Sequence, residues 1–247
     1  MRKMVALVTG GNRGIGASCV EEFAKQGIHV VINYCHHKEE AESFAKYIKD
    51  TYEVEALAIP CDVSKEEEVE KMINKIIDTF GEIDVLVNNA GVARDSLLLD
   101  KNLKEFQRVL SVNLIGTYLC SKYVGRVMLE QKHGKIINIS STNAIDTFYP
   151  ESCDYDASKA GVISLTHNLA REFAPFISVN CICPGWVKTS MNKDLSIDQI
   201  QAEKKKILLR RFAEPIEIAR VVSFLASQEA SYINDSIIRV DGGKYNG

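Results

Sequence analysis

Apolar runs rich in valine and isoleucine recur along the whole chain, and each is followed by a segment with the residue spacing of a helix. Seven of these runs are MVALVT, HVVIN, EALAI, DVLVN, KIINIS, SVNCI and SIIRV. They are continuous rather than alternating, which is typical of strands buried on both faces of a parallel sheet. The helices between them would cover both faces, because parallel strands need crossover connections. The pattern predicts an α/β fold, a doubly wound parallel sheet of the Rossmann-like kind.

No linker, repeat or change of composition divides the chain, so we expect a single domain over residues 1–247. Residues 189–211 differ in composition from the rest of the chain: they are polar, rich in lysine and lie between a predicted strand and a predicted helix. Such a segment predicts a flexible flap over a binding site.

Three helix starts can be predicted from capping signals. Ser64 with Glu67, and Asn102 with Glu105, have the spacing of a capping box. Pro215 is suited to the first position of a helix, where its missing N–H costs nothing.

Charge and cysteine content exclude several classes of function. The formal net charge of −3 gives no reason to expect binding to nucleic acid or to an anionic membrane. The apolar run before Thr9 is too short for the core of a signal peptide or for a membrane span. The 7 cysteines are scattered, without C-x-x-C, and His36 and His37 have no partner at ligand spacing. We therefore expect reduced thiols, no metal site and a cytoplasmic protein.

A glycine-rich segment, TGGNRGIG at residues 9–16, directly follows the first strand and opens a helical pattern. Glycines there allow a tight turn and a close approach to a pyrophosphate, which the N–H groups and positive end of the helix would bind. Tight packing in an ordinary strand-to-helix turn is the alternative. The position after a strand and before a helix favours a dinucleotide, with candidate contacts from Gly10, Asn12, Arg13, Gly14, Ile15 and Gly16.

The end of the second strand bears on the choice of nicotinamide cofactor. An NAD site usually places a carboxylate there, which binds the ribose hydroxyls and repels a 2′-phosphate. Tyr34 occupies that place and no acid occurs before Glu39. Arg13, with His36 or Lys38, would supply positive charge for the phosphate. This favours NADP(H), with Tyr34 and His36 as further candidate contacts; a solvated turn is the alternative.

Tyr155 and Lys159 lie four residues apart in a segment with helical spacing, so their side chains share one helix face. Lowering a phenol pKa from about 10 to near neutrality needs roughly 4 kcal/mol of preference for the phenolate. Lys159 and an oxidised nicotinamide would provide positive charge for it. The runs KIINISS and VLVNNAG end two other strands in polar residues, at the edge where ligands bind in such sheets.

The chain resembles the short-chain dehydrogenase/reductase family from residue 4 to residue 243. The motifs that match, in order, are TGGNRGIG, CDV, NNAG, SVN, the serine-ended strand, YDASK, PGWVKT and DGG. The resemblance implies a catalytic tetrad of Asn113, Ser141, Tyr155 and Lys159. Tyr155 would donate the proton in reduction, Ser141 would hydrogen-bond the substrate oxygen, and Lys159 would bind the ribose and depress the tyrosine pKa. Asn113 would hold a water that links Lys159 to solvent.

The resemblance also implies further contacts to the dinucleotide, in addition to Tyr155 and Lys159. Asp62 and Val63 resemble the adenine contacts, and Asn89, Ala90 and Gly91 resemble the segment beside the adenosine ribose. The loop that fixes the nicotinamide carboxamide would contain Pro184, Gly185, Val187 and Thr189. The family's reaction transfers hydride between the nicotinamide and a carbonyl carbon.

Within the family, NNAGVARDSLLL and LEQKHGKIINISS are most similar to 3-oxoacyl-[acyl-carrier-protein] reductases. That similarity implies an acyl-thioester substrate and, as a partner, an acidic carrier protein, which a basic patch of Lys132, Lys204, Lys205, Lys206, Arg210 and Arg211 would suit. Phe176, where such reductases often carry a basic residue, and the acids Glu151 and Asp154 ahead of Tyr155 argue against it. A reductase of free alcohols, sugars or ketones is the alternative, and a non-catalytic NADP-binding sensor is a further one.

Two long helical segments, about 103–131 and 155–173, are apolar on more than one face. Such a helix either packs deep in its own domain or meets another subunit. The apolar residues are Val109, Val112, Leu119, Val124 and Val127 in the first and Val162, Leu165 and Leu169 in the second. In the family the corresponding helices form subunit contacts, which implies a homotetramer.

Overall fold

The computed structural model describes residues 3–192 and 195–244. Its seven strands form one parallel sheet in the order β3-β2-β1-β4-β5-β6-β7. Each of the seven predicted runs overlaps one of these strands, so the predicted doubly wound sheet is confirmed. The strands are β1 (Val5–Val8), β2 (His29–Tyr34), β3 (Ala56–Pro60), β4 (Val85–Asn88), β5 (Gly134–Ile139), β6 (Ile177–Pro184) and β7 (Ile237–Val240).

Helices connect the strands and cover the sheet. They are α1 (Gly14–Lys25), α2 (Lys38–Tyr52), α3 (Glu66–Phe80), α4 (Leu103–Leu110), α5 (Gly116–Gln131), α6 (Cys153–Glu172), α7 (Ile197–Lys205) and α8 (Pro215–Ala226). A π-helical turn over Ser111–Ile115 joins α4 to α5, so the long helical segment predicted over 103–131 is one run with a local widening. No helix among the described residues is long and apolar enough to cross a membrane.

The two faces of the sheet have separate cores. In β1, Ala6 and Val8 pack with Phe23 of α1 and with α8, while Val5 and Leu7 pack on the other side against α3 and α5. Successive side chains of a strand point to opposite faces, so a run without polar residues supplies both cores. All 7 cysteines are free thiols, as the sequence predicts.

Two of the three predicted helix starts agree with the structure. The Asn102 side chain accepts the Glu105 N–H at 2.9 Å, and Pro215 is the first residue of α8. The third prediction is wrong: α3 begins at Glu66 without a side-chain cap. The Ser64 hydroxyl instead donates to the Asp62 carboxylate at 2.7 Å, because that acceptor lies closer than the helix N–H groups.

Buried amides link the middle strands to the helix behind them. Asn88 Nδ2 on β4 donates to Asn138 Oδ1 on β5 at 2.8 Å and to Ser121 Oγ on α5 at 2.9 Å. Asn138 Nδ2 donates to Thr166 Oγ1 on α6 at 2.9 Å. These four side chains are at most 3% exposed, so each hydrogen bond replaces one that water would make in the unfolded chain.

We predict that Asn138→Ala lowers the free energy of unfolding by about 3 kcal/mol, because it leaves buried partners on β4 and α6 without a hydrogen bond. Urea denaturation measures the loss. Asn168→Ala, at an exposed position of α6, is the matched control and should change stability by less than about 0.5 kcal/mol. Equal losses in the two variants would contradict the role of the buried network.

Candidate active site

The predicted site residues gather at the carboxyl edge of the sheet. The strand order turns back between β1 and β4, and the loops after those two strands diverge at this point. Such a switch point leaves a crevice in which doubly wound sheets bind ligands. The phosphate loop follows β1, Asn89 to Gly91 follow β4, Ser141 follows β5 and Gly185 follows β6.

The phosphate loop needs glycine at several positions. Gly10 and Gly14 have φ angles of 59° and 55°, in the left-handed region that glycine adopts without strain. A Cβ at Gly16 would lie 2.3 Å from the Gly10 carbonyl oxygen, a backbone atom that cannot move aside. The loop therefore folds tightly enough to direct the first N–H groups of α1 outward, with Arg13 exposed at the helix start. Asn12 is buried beneath it, and Ile15 is half-buried.

Asn89 holds the phosphate loop rather than facing solvent. Its Nδ2 donates to the carbonyl oxygens of Thr9 at 2.9 Å and Gly10 at 3.1 Å. In return, the Thr9 hydroxyl accepts the backbone N–H groups of Asn89 and Ala90 at 2.9 and 3.0 Å. The phosphate loop and the loop after β4 are thus held together by hydrogen bonds.

Asn33 and Arg108 are site residues that the sequence reasoning missed. Asn33 Oδ1 accepts the Gly10 N–H at 3.2 Å, and its Nδ2 donates to the Cys61 carbonyl at 3.0 Å. Arg108 Nη1 donates to Asp62 Oδ2 at 3.0 Å. Burial raises the pKa of Asp62, but hydrogen bonds from Ser64 and Arg108 outweigh it and hold that pKa below its usual value. The sequence signal that could have identified Asn33 is its position as a polar residue near the end of the second strand. Arg108 is distant in sequence from Asp62, so no local pattern indicates their contact.

The region predicted to select the cofactor contains no acid at the end of β2. Tyr34 is only 3% exposed and packs into the domain, and Val63 is likewise buried. A cavity of about 860 Å³ opens beside the phosphate loop, lined by Arg13, Gly14, His37, Glu40, Lys188 and Thr189, among others. His37, with φ 62°, lines this cavity, whereas His36 does not. His36 stays a predicted contact, and His37 is a second imidazole, which lines the cavity beside the phosphate loop.

The loop after β6 closes the cavity from the opposite side. Pro184 ends β6, and the Gly185 N–H donates to the Val240 carbonyl at 3.1 Å. Val187 is buried against Ala213, and the Thr189 methyl lies close to Gly14. The candidate carboxamide loop is therefore in place beside the phosphate loop.

Tyr155 and Lys159 share the inner face of α6. Lys159 Nζ lies 5.7 Å from the Tyr155 ring centroid and donates to the Ile139 carbonyl at 2.7 Å. Burial lowers the pKa of Lys159 to about 8. Burial also dominates at the phenol and raises the pKa of Tyr155 to about 12, against a hydrogen bond from Ser141 that lowers it. In the protein alone the phenol is therefore protonated at neutral pH, ready to donate.

The two serines that end β5 have different partners. Ser140 Oγ donates to the Lys159 carbonyl at 2.7 Å, so this serine fastens β5 to α6. Ser141 is hydrogen-bonded to the Tyr155 phenol instead. Strand alternation separates the two side chains, which leaves Ser141 facing the crevice.

Asn113 lies in the π-helical turn and its amide is occupied by protein groups. Oδ1 accepts the Val92 N–H at 2.8 Å, and Nδ2 donates to the Val92 carbonyl and to Ser158 Oγ, both at 3.0 Å. Gly91 lies against Asn113 and Lys159. Asn113 thus links the loop after β4 to α6. The π turn widens the helix backbone at this position.

Asp154 is not at the mouth of the site, and the sequence-based placement there is wrong. Its side chain is 0% exposed and pairs with Lys101 Nζ, 2% exposed, at 2.8 Å. Lys101 also donates to the Arg94 carbonyl. A lysine far away in sequence neutralises the buried acid, so only Glu151 of the two acids is exposed.

The segment over the crevice is attached to the domain through Glu203. The Glu203 carboxylate accepts the Tyr149 hydroxyl at 2.7 Å and the Trp186 Nε1–H at 3.1 Å, while Trp186 stacks on Phe212 at 5.4 Å. The predicted flap contains α7, and residues 193 and 194 of it lie outside the described residues. In its basic stretch Arg211 is bound by both carboxylate oxygens of Glu217, at 2.6 and 2.7 Å, and Lys206 Nζ pairs with Glu203 at 2.7 Å, so both charges already have acidic partners.

One His-carboxylate cluster lies elsewhere. Glu82, Asp84 and His133 are the only group in the described ranges whose ligand atoms lie within metal-binding distances, all within 4.8 Å of one another. It stands at the amino end of β4, the opposite edge of the sheet from Tyr155, and His133 Nε2 lies 3.0 Å from Asp84 Oδ1. This cluster has no part in the crevice.

The chain is similar to known proteins along nearly its whole length. A sequence family described as "Enoyl-(Acyl carrier protein) reductase" matches residues 10–245. The 3-oxoacyl-[acyl-carrier-protein] reductase FabG of Staphylococcus epidermidis is 42% identical over 97% of this chain and 98% of its own, and the reductase of Synechocystis is 40% identical over 97% and 96%. A mutant short-chain dehydrogenase/reductase from Serratia marcescens superposes with a TM-score of 0.92 at 33% identity, covering 98% of both chains. With these relatives, the ordered motifs and the Ser141, Tyr155 and Lys159 arrangement, the chain belongs to the short-chain dehydrogenase/reductase family.

Proposed function

We propose that this chain is an NADPH-dependent reductase that converts the carbonyl of a 3-oxoacyl thioester, carried by acyl carrier protein, to a secondary alcohol. The observation that carries the proposal is the Ser141, Tyr155 and Lys159 arrangement at the carboxyl edge of the sheet. The phenol is hydrogen-bonded to Ser141 and protonated, and an ammonium lies 5.7 Å from its ring.

Each side chain has a distinct part in the reaction. A bound nicotinamide supplies the hydride. Tyr155 gives its proton to the developing alkoxide, and Ser141 donates a hydrogen bond to the same oxygen, so negative charge on that oxygen is compensated as it forms. Lys159 would hold the nicotinamide ribose, and the Asn113 segment would order a water for reprotonation. The same groups run the reverse oxidation, with Tyr155 as base.

The residues around the phosphate loop fit a dinucleotide with a 2′-phosphate. The glycines of that loop leave no room for a Cβ at Gly16, which is what a backbone that must approach a pyrophosphate requires. Arg13 and His37 line the adjoining cavity and no acid ends β2. A guanidinium pairs with a phosphate more strongly than with ribose hydroxyls, which favours NADP(H) over NAD(H).

The names of the curated relatives support the thioester substrate. The relatives at 40–42% identity cited above are 3-oxoacyl reductases, whereas the matching family description refers to an enoyl reductase. The proton-donor geometry at a carbonyl oxygen favours the first reaction. Lys132, exposed at the end of α5, and the lysines of α7 would face an acidic carrier protein. Free ketones and sugars remain the alternative substrates, and free thiols at all 7 cysteines support a cytoplasmic location.

A homotetramer is the assembly we propose, on different residues from those the sequence suggested. Val109, Val112, Leu119 and Val124 pack inside their own domain, at most 6% exposed. Ile115 and Tyr118 on the outer face of the same helical run are 45% and 46% exposed. Leu97, Leu98, Leu99 and Leu103, which precede this run in sequence or lie at its start, are exposed as well.

We predict that Tyr155→Phe lowers kcat for acetoacetyl-CoA reduction by about a thousandfold and leaves NADPH affinity nearly unchanged, because the hydroxyl acts only as proton donor. NADPH absorbance at 340 nm measures turnover, and Tyr47→Phe, an exposed tyrosine, is the control. Crotonyl-CoA and simple ketones complete the panel with NADPH, and sugar alcohols are supplied with NADP⁺ because an alcohol is the reduced partner of the reaction. Turnover of crotonyl-CoA alone would indicate an enoyl reductase. NADPH binding without turnover of any compound would contradict the proposal that the protein is an enzyme.

We predict that Arg13→Ala raises the Kd for NADPH about tenfold and that for NADH much less, since only NADPH offers a 2′-phosphate. Fluorescence titration of each nucleotide measures the two constants. Lys46→Ala, which removes the same charge from an exposed position on α2, serves as the control. Equal weakening for both nucleotides would show that Arg13 contacts only the pyrophosphate that they share.

We predict a particle of about four times the chain mass of 27.5 kDa in light scattering. Ile115→Glu should give a smaller particle, because it inserts a charge into the apolar outer face of the helix. A wild-type mass equal to one chain would refute the tetramer.

A further inference from the structure

Asp156 follows the tyrosine of the YDASK motif and has no part in the reaction as described so far. Its Oδ1 accepts Asn143 Nδ2 at 2.7 Å and Ser152 Oγ at 2.8 Å. Within residues 3–192 and 195–244 its carboxylate forms no ion pair with lysine or arginine. The charge of Asp156 is therefore directed at the amide of Asn143.

Asn143 in turn contacts Ser141 through two groups. Its backbone N–H donates to Ser141 Oγ at 3.2 Å, and its Oδ1 lies 3.3 Å from the same hydroxyl, placed to accept from it. A carboxylate accepts hydrogen bonds and cannot donate them, so the NH₂ end of the Asn143 amide must face Asp156. The oxygen end must then face Ser141.

We infer that Asp156 is a positioning residue, which acts through the Asn143 amide to fix the direction of the Ser141 hydroxyl beside Tyr155. The order of the hydrogen bonds follows from the donors and acceptors available. While the phenol is protonated, Ser141 donates toward Asn143; turning that single proton to the phenol oxygen gives the hydrogen bond that lowers the pKa of Tyr155. When a substrate oxygen arrives, the same hydroxyl needs only to rotate toward it. The inference rests on the proposed function.

The charges around Tyr155 give this arrangement a pH signature. Asp156 on its own helix, Asp95 from the loop after β4 and Cys183 on β6 all raise the pKa of the phenol, after burial, and Ser141 lowers it. Lys159 Nζ lies 5.7 Å from the ring. Asp154, which is paired with Lys101, directly precedes Tyr155 in the sequence. Removing the Asp156 charge therefore lowers the Tyr155 pKa. Reduction needs the protonated phenol, so its activity is lost at lower pH in a variant without that charge.

Three variants separate positioning from charge. Asn143→Leu keeps the size of the side chain and removes the amide, so we expect kcat for reduction to fall about tenfold with KM little changed and with the alkaline limb of the pH profile in place. Asp156→Asn should lower kcat by a similar factor and move that limb to lower pH. The double variant should lose no more kcat than Asn143→Leu alone while keeping the shifted limb, because Asp156 acts on Ser141 only through Asn143.

Glu172→Gln, at the exposed end of the same helix, is the control and should behave as wild type. Losses of kcat that multiply in the double variant would overturn the inference, because the two residues would then act independently. An Asp156→Asn enzyme with wild-type kcat and pH profile would overturn it as well.

A measurement without substrate keeps this test distinct from that of the proposed function. Tyrosinate absorbance at 295 nm is recorded against pH in the NADP⁺ complex, and the Tyr155→Phe form of each protein is subtracted. The midpoint for Tyr155 should be lower in Asp156→Asn than in wild type and unchanged in Asn143→Leu. A midpoint at or above the wild-type value in Asp156→Asn overturns the inference even if a carbonyl is reduced. A lowered midpoint supports it even if acetoacetyl-CoA is not a substrate.

Discussion

Burial of a parallel sheet on both faces is the constraint on which the rest of this structure depends. Helices cover β1 from two sides, so the only places where polar side chains reach a ligand are the ends of the strands. At the carboxyl edge the backbone N–H groups of α1 also point outward. The phosphate loop, the serine of β5 and the tyrosine of α6 meet there because no other edge offers both a crevice and an anion-binding helix end.

Asparagine amides hold this edge together. Asn33 and Asn113 each use a donor and an acceptor to tie one loop to another, Asn89 donates to two carbonyl oxygens of the phosphate loop, and Asn88 donates to Asn138 across the strands below them. An amide satisfies two buried backbone groups without the desolvation cost of a charge. Ionised side chains enter the buried region mainly as a pair, Lys101 with Asp154, or as the reacting lysine.

Burial also sets the protonation of the reacting groups. The same desolvation that lowers the pKa of Lys159 to about 8 raises that of Tyr155 to about 12. In the protein alone, burial is the largest effect on the phenol and holds the pKa of Tyr155 above its usual value, although Lys159 lies close to the ring. In the reducing direction the raised pKa is an advantage, because the proton is present across the neutral range.

The sequence by itself determined the fold class, the positions of all seven strands, the phosphate loop, and the choice of Tyr155 and Lys159. These depend on local patterns: apolar period, glycine spacing, and a four-residue interval on a helix. Only the tertiary structure decided that Asp154 is neutralised by Lys101, that His37 lines the cavity beside the phosphate loop, and that Asn143 links Asp156 to Ser141. Those facts depend on side chains brought together from distant segments and on the conformation of single turns. Neither produces a periodic pattern in the sequence.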